Sequence, residues 1–138
     1  MAPVVVKFGG ELLEDPQHLA ALTAGLAKLS RKTPLVVVHG GGREIDAALA
    51  RVGIAKRQVD GLRITDEPTL DIVIGVLAGL VNTRLVAALG AAGVQAVGAE
   101  DDEPPVGCLV LDAVGAACDL AAAVGADAFR VLLCGHLT

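Results

Sequence analysis

The stretch LVVVHGGGREID, residues 35–46, decides the fold class of this chain. Its first four residues are apolar without interruption, which is typical of a strand buried on both faces. His39 and three consecutive glycines follow, and the residues after them predict a helix over about 43–51. A buried strand that turns through glycines into a helix is the repeating unit of α/β folds.

The same order of elements is found at the start of the chain. The run Val4–Phe8 is mostly β-branched and ends in Gly9 and Gly10, and after Pro16 leucines recur at helical spacing over 18–29. Because both strands are apolar rather than alternating, we expect them to be parallel neighbours with helices on both faces. The predicted fold is a three-layer α/β/α sandwich with a mainly parallel central sheet, formed as a single domain over residues 1–138.

Further elements are predicted after residue 51. Asp60 and Gly61 are turn residues between two short extended pieces over 59–65, which indicates a hairpin. A long helix is predicted from Pro68 to Leu89, with Thr65 or Asp66 as its N-cap. The remaining predicted elements are a strand over 94–97, a strand over 107–111, a helix over 112–124 and a strand over 129–133.

The composition excludes several classes of function. The chain has a net charge of −5 and no cluster of Lys or Arg, so neither nucleic acid nor an anionic membrane surface is an expected partner. Charged residues or glycine interrupt the apolar stretches, and none is expected to reach the roughly 20 residues of a membrane span. An odd number of cysteines, no CxxC pair and no secretory signal predict reduced thiols in a cytoplasmic protein; the cysteines are Cys108, Cys118 and Cys134.

Lys7, Gly9 and Gly10 form the first candidate site. A lysine in an apolar strand is costly to bury, so we expect its ammonium group to emerge at the C-terminal edge of the sheet, where ligands bind in open α/β folds. Glycines directly after it would let backbone N–H groups approach a phosphate. An ordinary strand-end lysine beside a tight turn is the alternative.

The glycine run Gly40–Gly42 forms the second candidate site. Three consecutive glycines cost conformational entropy that a simple connector does not need, so they suggest backbone contact with a ligand. Their spacing matches neither a Walker A loop nor the GxGxxG dinucleotide motif. His39 is interpreted as a packing residue rather than a base.

Arg63, on the predicted hairpin, is the third candidate. Its guanidinium could hold a substrate carboxylate through two hydrogen bonds, which a lysine does less well. The alternative is a surface salt bridge to Asp60, Asp66 or Glu67. The three candidates together are expected to converge on one edge of the sheet.

In their order and spacing these motifs resemble the acetylglutamate kinases of the amino-acid kinase family. The resemblance covers residues 4–98 and rests on VVVKFGGELL, LVVVHGGGREID, DGLRITD and LDIVIGVLAGLVNTRLVAALGAAGVQAVG. It implies transfer of the γ-phosphate of ATP, with Mg²⁺, to the γ-carboxylate of N-acetyl-L-glutamate, a step of arginine biosynthesis. It also implies a homodimer, because the helix from Leu70 to Leu89 resembles the long dimer-forming helix of the family; close packing within the chain is the alternative reason for its small residues, Gly75, Gly79 and Asn82.

The resemblance assigns a role to each candidate residue. Lys7 matches the lysine that stabilises the transition state, and Gly9–Gly10 match glycines beside the terminal phosphates of the nucleotide. Gly41–Gly42 match the backbone donors to acetylglutamate, and Arg63 matches the arginine that grips the α-carboxylate of the substrate. No metal-binding residue is assigned.

The chain departs from the family in its second part. Members are longer, and the Asn-x-Asn-x-Asp motif of their second half is not found here, so residues 1–98 match the substrate-binding half and 99–138 a divergent or shortened remainder. Asp112 and Asp119 are candidates for the aspartate that organises the catalytic lysines, and neither is assigned. The alternative function is a non-catalytic module, derived from such a kinase, that binds an acylated amino acid or dimerises.

Overall fold

The computed structural model describes residues 4–99 and 129–133. The strand predicted over 107–111 and the helix predicted over 112–124 lie outside these residues, as do the three cysteines. The described elements are β1 Val4–Phe8, α1 Glu11–Glu14, α2 Pro16–Ser30, β2 Leu35–His39, α3 Gly42–Arg51, β3 Gln58–Val59, β4 Leu62–Arg63, α4 Glu67–Ile74, a π-helical segment Gly75–Val81, α5 Asn82–Ala91, β5 Ala96–Ala99 and β6 Phe129–Leu133.

Most of these elements agree with the predicted ones to within two or three residues. The β3–β4 hairpin turns through Asp60 and Gly61, both of which have positive φ, as its predicted turn requires. The single turn α1 was not predicted, because four residues carry too little periodicity to be recognised. Asp15 separates α1 from α2 and caps α2 by accepting hydrogen bonds from the backbone N–H groups of Gln17 and His18.

The sheet is parallel throughout its described strands, with the order β1-β2-β6-β5. β1 and β2 are neighbours as predicted, and their register pairs Lys7 with Val38 and Phe8 with His39. The strand predicted over 94–97 begins two residues later, at Ala96. β6 lies between β2 and β5, an insertion that the sequence order alone does not reveal. The α/β class and the parallel central sheet are thus confirmed.

The core lies between the sheet and the described helices. All of these helices, and the π-helical segment, contribute buried side chains to one apolar cluster, which also contains Leu35 and Val37 of β2. Side chains alternate along a strand, so Val36 and Val38 point to the opposite face, where they are 1% and 2% exposed. Full burial on both faces explains why β2 is apolar without alternation.

One continuous helix runs from Glu67 to Ala91 and combines α4, the π-helical segment and α5. Of the two predicted N-caps the structure uses Asp66, whose carboxylate accepts a hydrogen bond from the backbone N–H of Thr69. This fixes the start of the helix whose Leu77 and Val81 lie beside Gly41.

The expectation that no apolar stretch reaches membrane-spanning length is wrong for this helix. Its most apolar 18-residue window has a mean hydropathy of 2.0, which by length and composition alone would allow a membrane span. Part of this apolar surface lies in the domain core, where Val81, Leu85 and Leu89 are fully buried; 39% of the window is buried within the domain.

Candidate functional site

The two glycine-rich loops touch each other at the C-terminal edge of the sheet. The backbone N–H of Gly40 donates to the carbonyl of Phe8 over 3.3 Å. A Cβ atom on Gly10 would lie 2.6 Å from Cα of Gly41 and 2.8 Å from the carbonyl oxygen of Gly40. Real Cβ atoms do not approach backbone so closely, so only glycine fits at position 10.

Gly41 has a second packing role on the helical side of the loop. It precedes α3, and a Cβ atom there would lie 2.9 Å from Cδ2 of Leu77 and 3.3 Å from Cγ2 of Val81. The loop therefore rests directly on the π-helical segment. Close packing against the helix therefore explains why position 41 is glycine, whereas the sequence-based prediction explained the glycine run by ligand contact alone.

A cavity of about 340 Å³ opens beside these loops, a volume at the lower end of the roughly 300–1,000 Å³ typical of small-molecule sites. The five residues predicted for the phosphate and backbone-donor roles all line it: Lys7, Gly9, Gly10, Gly41 and Gly42. The structure thus brings the two glycine runs and Lys7 together at one cavity.

Three charged residues that line this cavity were missed in the sequence: Glu11, Glu14 and Arg43. Arg43 lies 3.5 Å from the carboxylate of Glu14, across the gap between α1 and α3. With Lys7 these residues give the cavity two cations and two carboxylates. Glu11 and Arg43 directly follow the two glycine runs, which is a signal that could have identified them, whereas Glu14 lies four residues after Gly10.

Lys7 has an accessible side chain on the sheet face opposite the described helices. Phe8, its neighbour, belongs to the helix-side core cluster, and alternation along the strand turns Lys7 to the other face. Within the described ranges 4–99 and 129–133, no ion pair involves Lys7. Its ammonium group is therefore not neutralised by a carboxylate in this part of the chain, as a phosphate-binding lysine requires.

Arg63 does not line the cavity, and the prediction that it shares that site is not matched by the geometry. Its side chain is 3% exposed and bonded through Nη2 to Asp46 of α3. Lys56 Nζ contacts the same carboxylate over 2.8 Å. The salt-bridge partner of Arg63 is therefore none of the three considered as the alternative, Asp60, Asp66 and Glu67, but Asp46, which lies 17 residues earlier in the chain.

The second guanidinium nitrogen of Arg63, Nη1, is buried and has no hydrogen-bond partner among the described residues. A buried donor without a partner is unfavourable, so an acceptor that reached this nitrogen would be bound favourably. The carboxylate of a small acid would satisfy it.

The electrostatics of Asp46 follow from its two cationic neighbours. Partial burial by itself would raise the pKa of Asp46, but the hydrogen bonds from Lys56 and Arg63 outweigh that effect, and the pKa is lowered from its ordinary value of 3.8. Asp46 is therefore ionised at neutral pH and holds the hairpin against α3.

His39 has no access to solvent and does not line the cavity. Burial lowers the pKa of its imidazole, and the nearby Gly40 carbonyl and Glu44 carboxylate oppose this shift without cancelling it. A neutral, enclosed ring fits the packing role interpreted from the sequence better than that of a base.

The described residues contain no cluster of three or more His, Cys, Asp or Glu side chains that could hold a metal ion. Two carboxylates, those of Glu11 and Glu14, line the cavity. Proteins commonly bind Mg²⁺ through one or two carboxylates, while substrate phosphates and water supply the other ligands. These residues fit a magnesium ion that arrives with a nucleotide better than one held by the protein alone.

Comparisons with known proteins agree with this architecture. The model of the amino acid kinase family matches residues 2–104. An acetylglutamate kinase of Chloroflexus aurantiacus is 48% identical over 94 residues, which are 68% of this chain and 36% of the relative. An acetylglutamate kinase of Sorangium cellulosum is 40% identical over 137 residues, 99% of this chain and 46% of the relative. The chain thus spans less than half the length of these relatives.

Solved structures give the same fold. The N-acetylglutamate synthase of Neisseria gonorrhoeae, in complex with coenzyme A and N-acetyl-glutamate, superposes with a TM-score of 0.68 at 26% identity, over 96% of this chain and 33% of that one. A protein of Streptococcus mutans UA159 superposes with a TM-score of 0.65 at 18% identity, over 95% of this chain and 58% of that one. Since the family model covers most of the chain and the parallel sheet with its paired glycine loops is in place, the chain belongs to the amino acid kinase family.

Proposed function

We propose that this chain carries the substrate and terminal-phosphate half-site of an acetylglutamate kinase, and that it takes part in phosphorylating the γ-carboxylate of N-acetyl-L-glutamate with ATP. The observation that carries the proposal is that Lys7 and both glycine loops line one cavity. The 48% identity to an acetylglutamate kinase supports the choice of substrate.

The reaction needs little from the protein beyond positioning and charge. An oxygen of the γ-carboxylate attacks the γ-phosphorus of ATP, the bond from that phosphorus to the β,γ-bridging oxygen breaks, and ADP leaves with the electron pair. The carboxylate is already ionised, so no base is required. Lys7 would stabilise the charge on the transferring group, and backbone donors of the glycine loops would orient the two reactants. Mg²⁺ bound to the nucleotide supplies further charge neutralisation.

Arg63 would hold the α-carboxylate of the substrate through Nη1, the nitrogen left without a partner, while Asp46 keeps Nη2. This assignment requires the substrate to extend from the cavity toward the hairpin. The buried, unsatisfied donor is the observation that supports it.

A homodimer is proposed to form along the long helix. A Cβ atom on Gly75 or Gly79 would meet no described atom within 4 Å, so close packing within the described part of the chain does not account for these glycines. Ile74 and Leu80 on the same helix are 44% and 48% exposed. A cytoplasmic location goes with this soluble biosynthetic role.

A second candidate function is a non-catalytic module that binds an acylated amino acid or dimerises. The chain spans 36% and 46% of the length of the two acetylglutamate kinases compared above. Such a module would keep the glycine loops and Arg63 but would not turn over ATP.

Turnover of ATP by the purified chain with N-acetylglutamate and Mg²⁺ separates these functions. Lys7→Ala is expected to lower the rate by about 100-fold or more, because it removes a cation from the transferring phosphoryl group. Lys28→Ala, an exposed lysine at the end of α2, is the matched control and should leave the rate unchanged.

The outcomes are distinct. Absence of turnover together with saturable binding of N-acetylglutamate, lost in Arg63→Met, would establish the binding module. A chain that neither consumes ATP nor binds N-acetylglutamate would contradict both functions.

A further inference from the structure

Arg84 of α5 contacts both elements that follow the glycine loops. Its Nη1 atom donates to the carbonyl oxygen of Leu13 over 3.2 Å and lies 2.7 Å from Oε1 of Glu44. The first contact spans 71 residues of sequence. A single guanidinium thus joins the long helix to α1 and to α3.

Each contact lies close to a loop that forms the cavity. Leu13 belongs to the four-residue helix α1, which begins directly after Gly10 and is too short to satisfy all of its own carbonyl groups. Glu44 lies in the first turn of α3, and its Oε2 atom is 3.8 Å from the position that a Cβ atom on Gly41 would take. The two loops therefore share Arg84 as a common anchor.

The ion pair between Arg84 and Glu44 is largely shielded from solvent. The side chain of Glu44 is 16% exposed and that of Arg84 is 32% exposed. Exposed ion pairs hold their partners weakly because water competes for both charges, whereas a largely buried, charge-assisted hydrogen bond constrains geometry. Glu44 Oε2 is already buried without a partner among the described residues, so loss of Arg84 would leave the whole carboxylate uncompensated.

We propose that Arg84 is a positioning residue that holds the two glycine loops at the separation the cavity requires. It does not line that cavity and acts only through Leu13 and Glu44. The identity of the ligand that the cavity binds rests on the proposed function, but the anchoring of the loops by Arg84 does not.

Hydrogen exchange of the ligand-free full-length chain tests the anchoring. In Arg84→Met, which keeps the apolar stem of the side chain, amides of peptides covering 8–14 and 39–45 are expected to exchange about fivefold faster or more, because local opening becomes easier. Peptides from the middle of α2 should keep their exchange rates. Arg84→Lys should restore part of the protection, since it keeps the charge, and Arg51→Met at the end of α3 is the matched control.

Two results would overturn the proposal. Unchanged exchange in both loops would show that Arg84 does not anchor them. An equal rise in exchange in every peptide would show a general loss of stability rather than a positioning role.

Titration with N-acetylglutamate and with Mg-ATP then separates this inference from the proposed function. If the parent chain binds, Arg84→Met should weaken the affinity by about fivefold or more through the misplaced loops, and Arg84→Lys by less. If the parent chain binds neither ligand, the proposed function fails, while hydrogen exchange still decides whether Arg84 anchors the loops.

Discussion

Gly10→Ala is expected to lower the free energy of unfolding by about 3 kcal/mol, at the upper end of the range for overpacking, because the added methyl group would meet backbone rather than a movable side chain. The contacts would be Cα and N of Gly41 and the carbonyl oxygen of Gly40. The φ of Gly10 is −64°, which any residue adopts, so the substitution tests the close approach of the loops alone. Urea denaturation measures the effect.

Gly42→Ala in the neighbouring loop is the matched control. A Cβ atom on Gly42 would meet no described atom within 4 Å, and Gly42 is the first residue of α3. Alanine favours the helix, so this variant should be unchanged or more stable by about 0.5 kcal/mol. A loss at Gly10 no larger than that at Gly42 would contradict the loop contact.

Asp46→Ala is expected to lower the free energy of unfolding by about 2–3 kcal/mol, because it leaves the buried guanidinium of Arg63 without its partner. This loss of unfolding free energy is at or below the lower end of the range for a broken buried ion pair, since the side chain of Asp46 is itself 35% exposed and partly screened by water. Lys56 is the second partner of Asp46, and its side chain is 42% exposed. Lys56→Ala should therefore lower the free energy of unfolding by less than about 1 kcal/mol.

The stabilisation by Asp46 should also depend on pH. Its pKa is lowered in the folded chain, so the contribution is complete above the ordinary value of 3.8 and is lost as the pH falls through the lowered folded value. The difference in unfolding free energy between the parent and Asp46→Asn should therefore shrink below pH 3.8.

The double variant Asp46→Ala with Arg63→Met should recover much of the unfolding free energy that Asp46→Ala loses. No recovery would contradict the assignment of that loss to an unpaired arginine.

The fold class could be predicted because its signals are local. A mostly apolar strand followed by glycines, found twice within 42 residues, is enough to indicate parallel strands of an α/β sheet. The hairpin followed from Asp60 and Gly61, and the long helix from its apolar run and from Asp66. The place of β6 between β2 and β5 depends on long-range pairing, which no local pattern encodes.

The candidate site could be predicted only where residues lie at, or directly after, the end of a strand. Lys7 and the glycines were found because the edge of a parallel sheet brings strand ends together. The partner of Arg63 was missed, because the contact with Asp46 depends on how the hairpin folds back onto α3. Arg84 carried no signal at all, since a charged residue on an apolar helix is usually read as a solvated one.

The central claim is that the cavity between the glycine loops binds the substrates, and NMR titration of ¹⁵N-glycine-labelled chain tests it most directly. With N-acetylglutamate and Mg-ATP, we expect saturable amide shifts at the cavity glycines, namely Gly9, Gly10, Gly41 and Gly42, and none at Gly25 on the exposed side of α2. Saturable shifts elsewhere, with the cavity glycines unmoved, or no shifts with either ligand, would contradict the account.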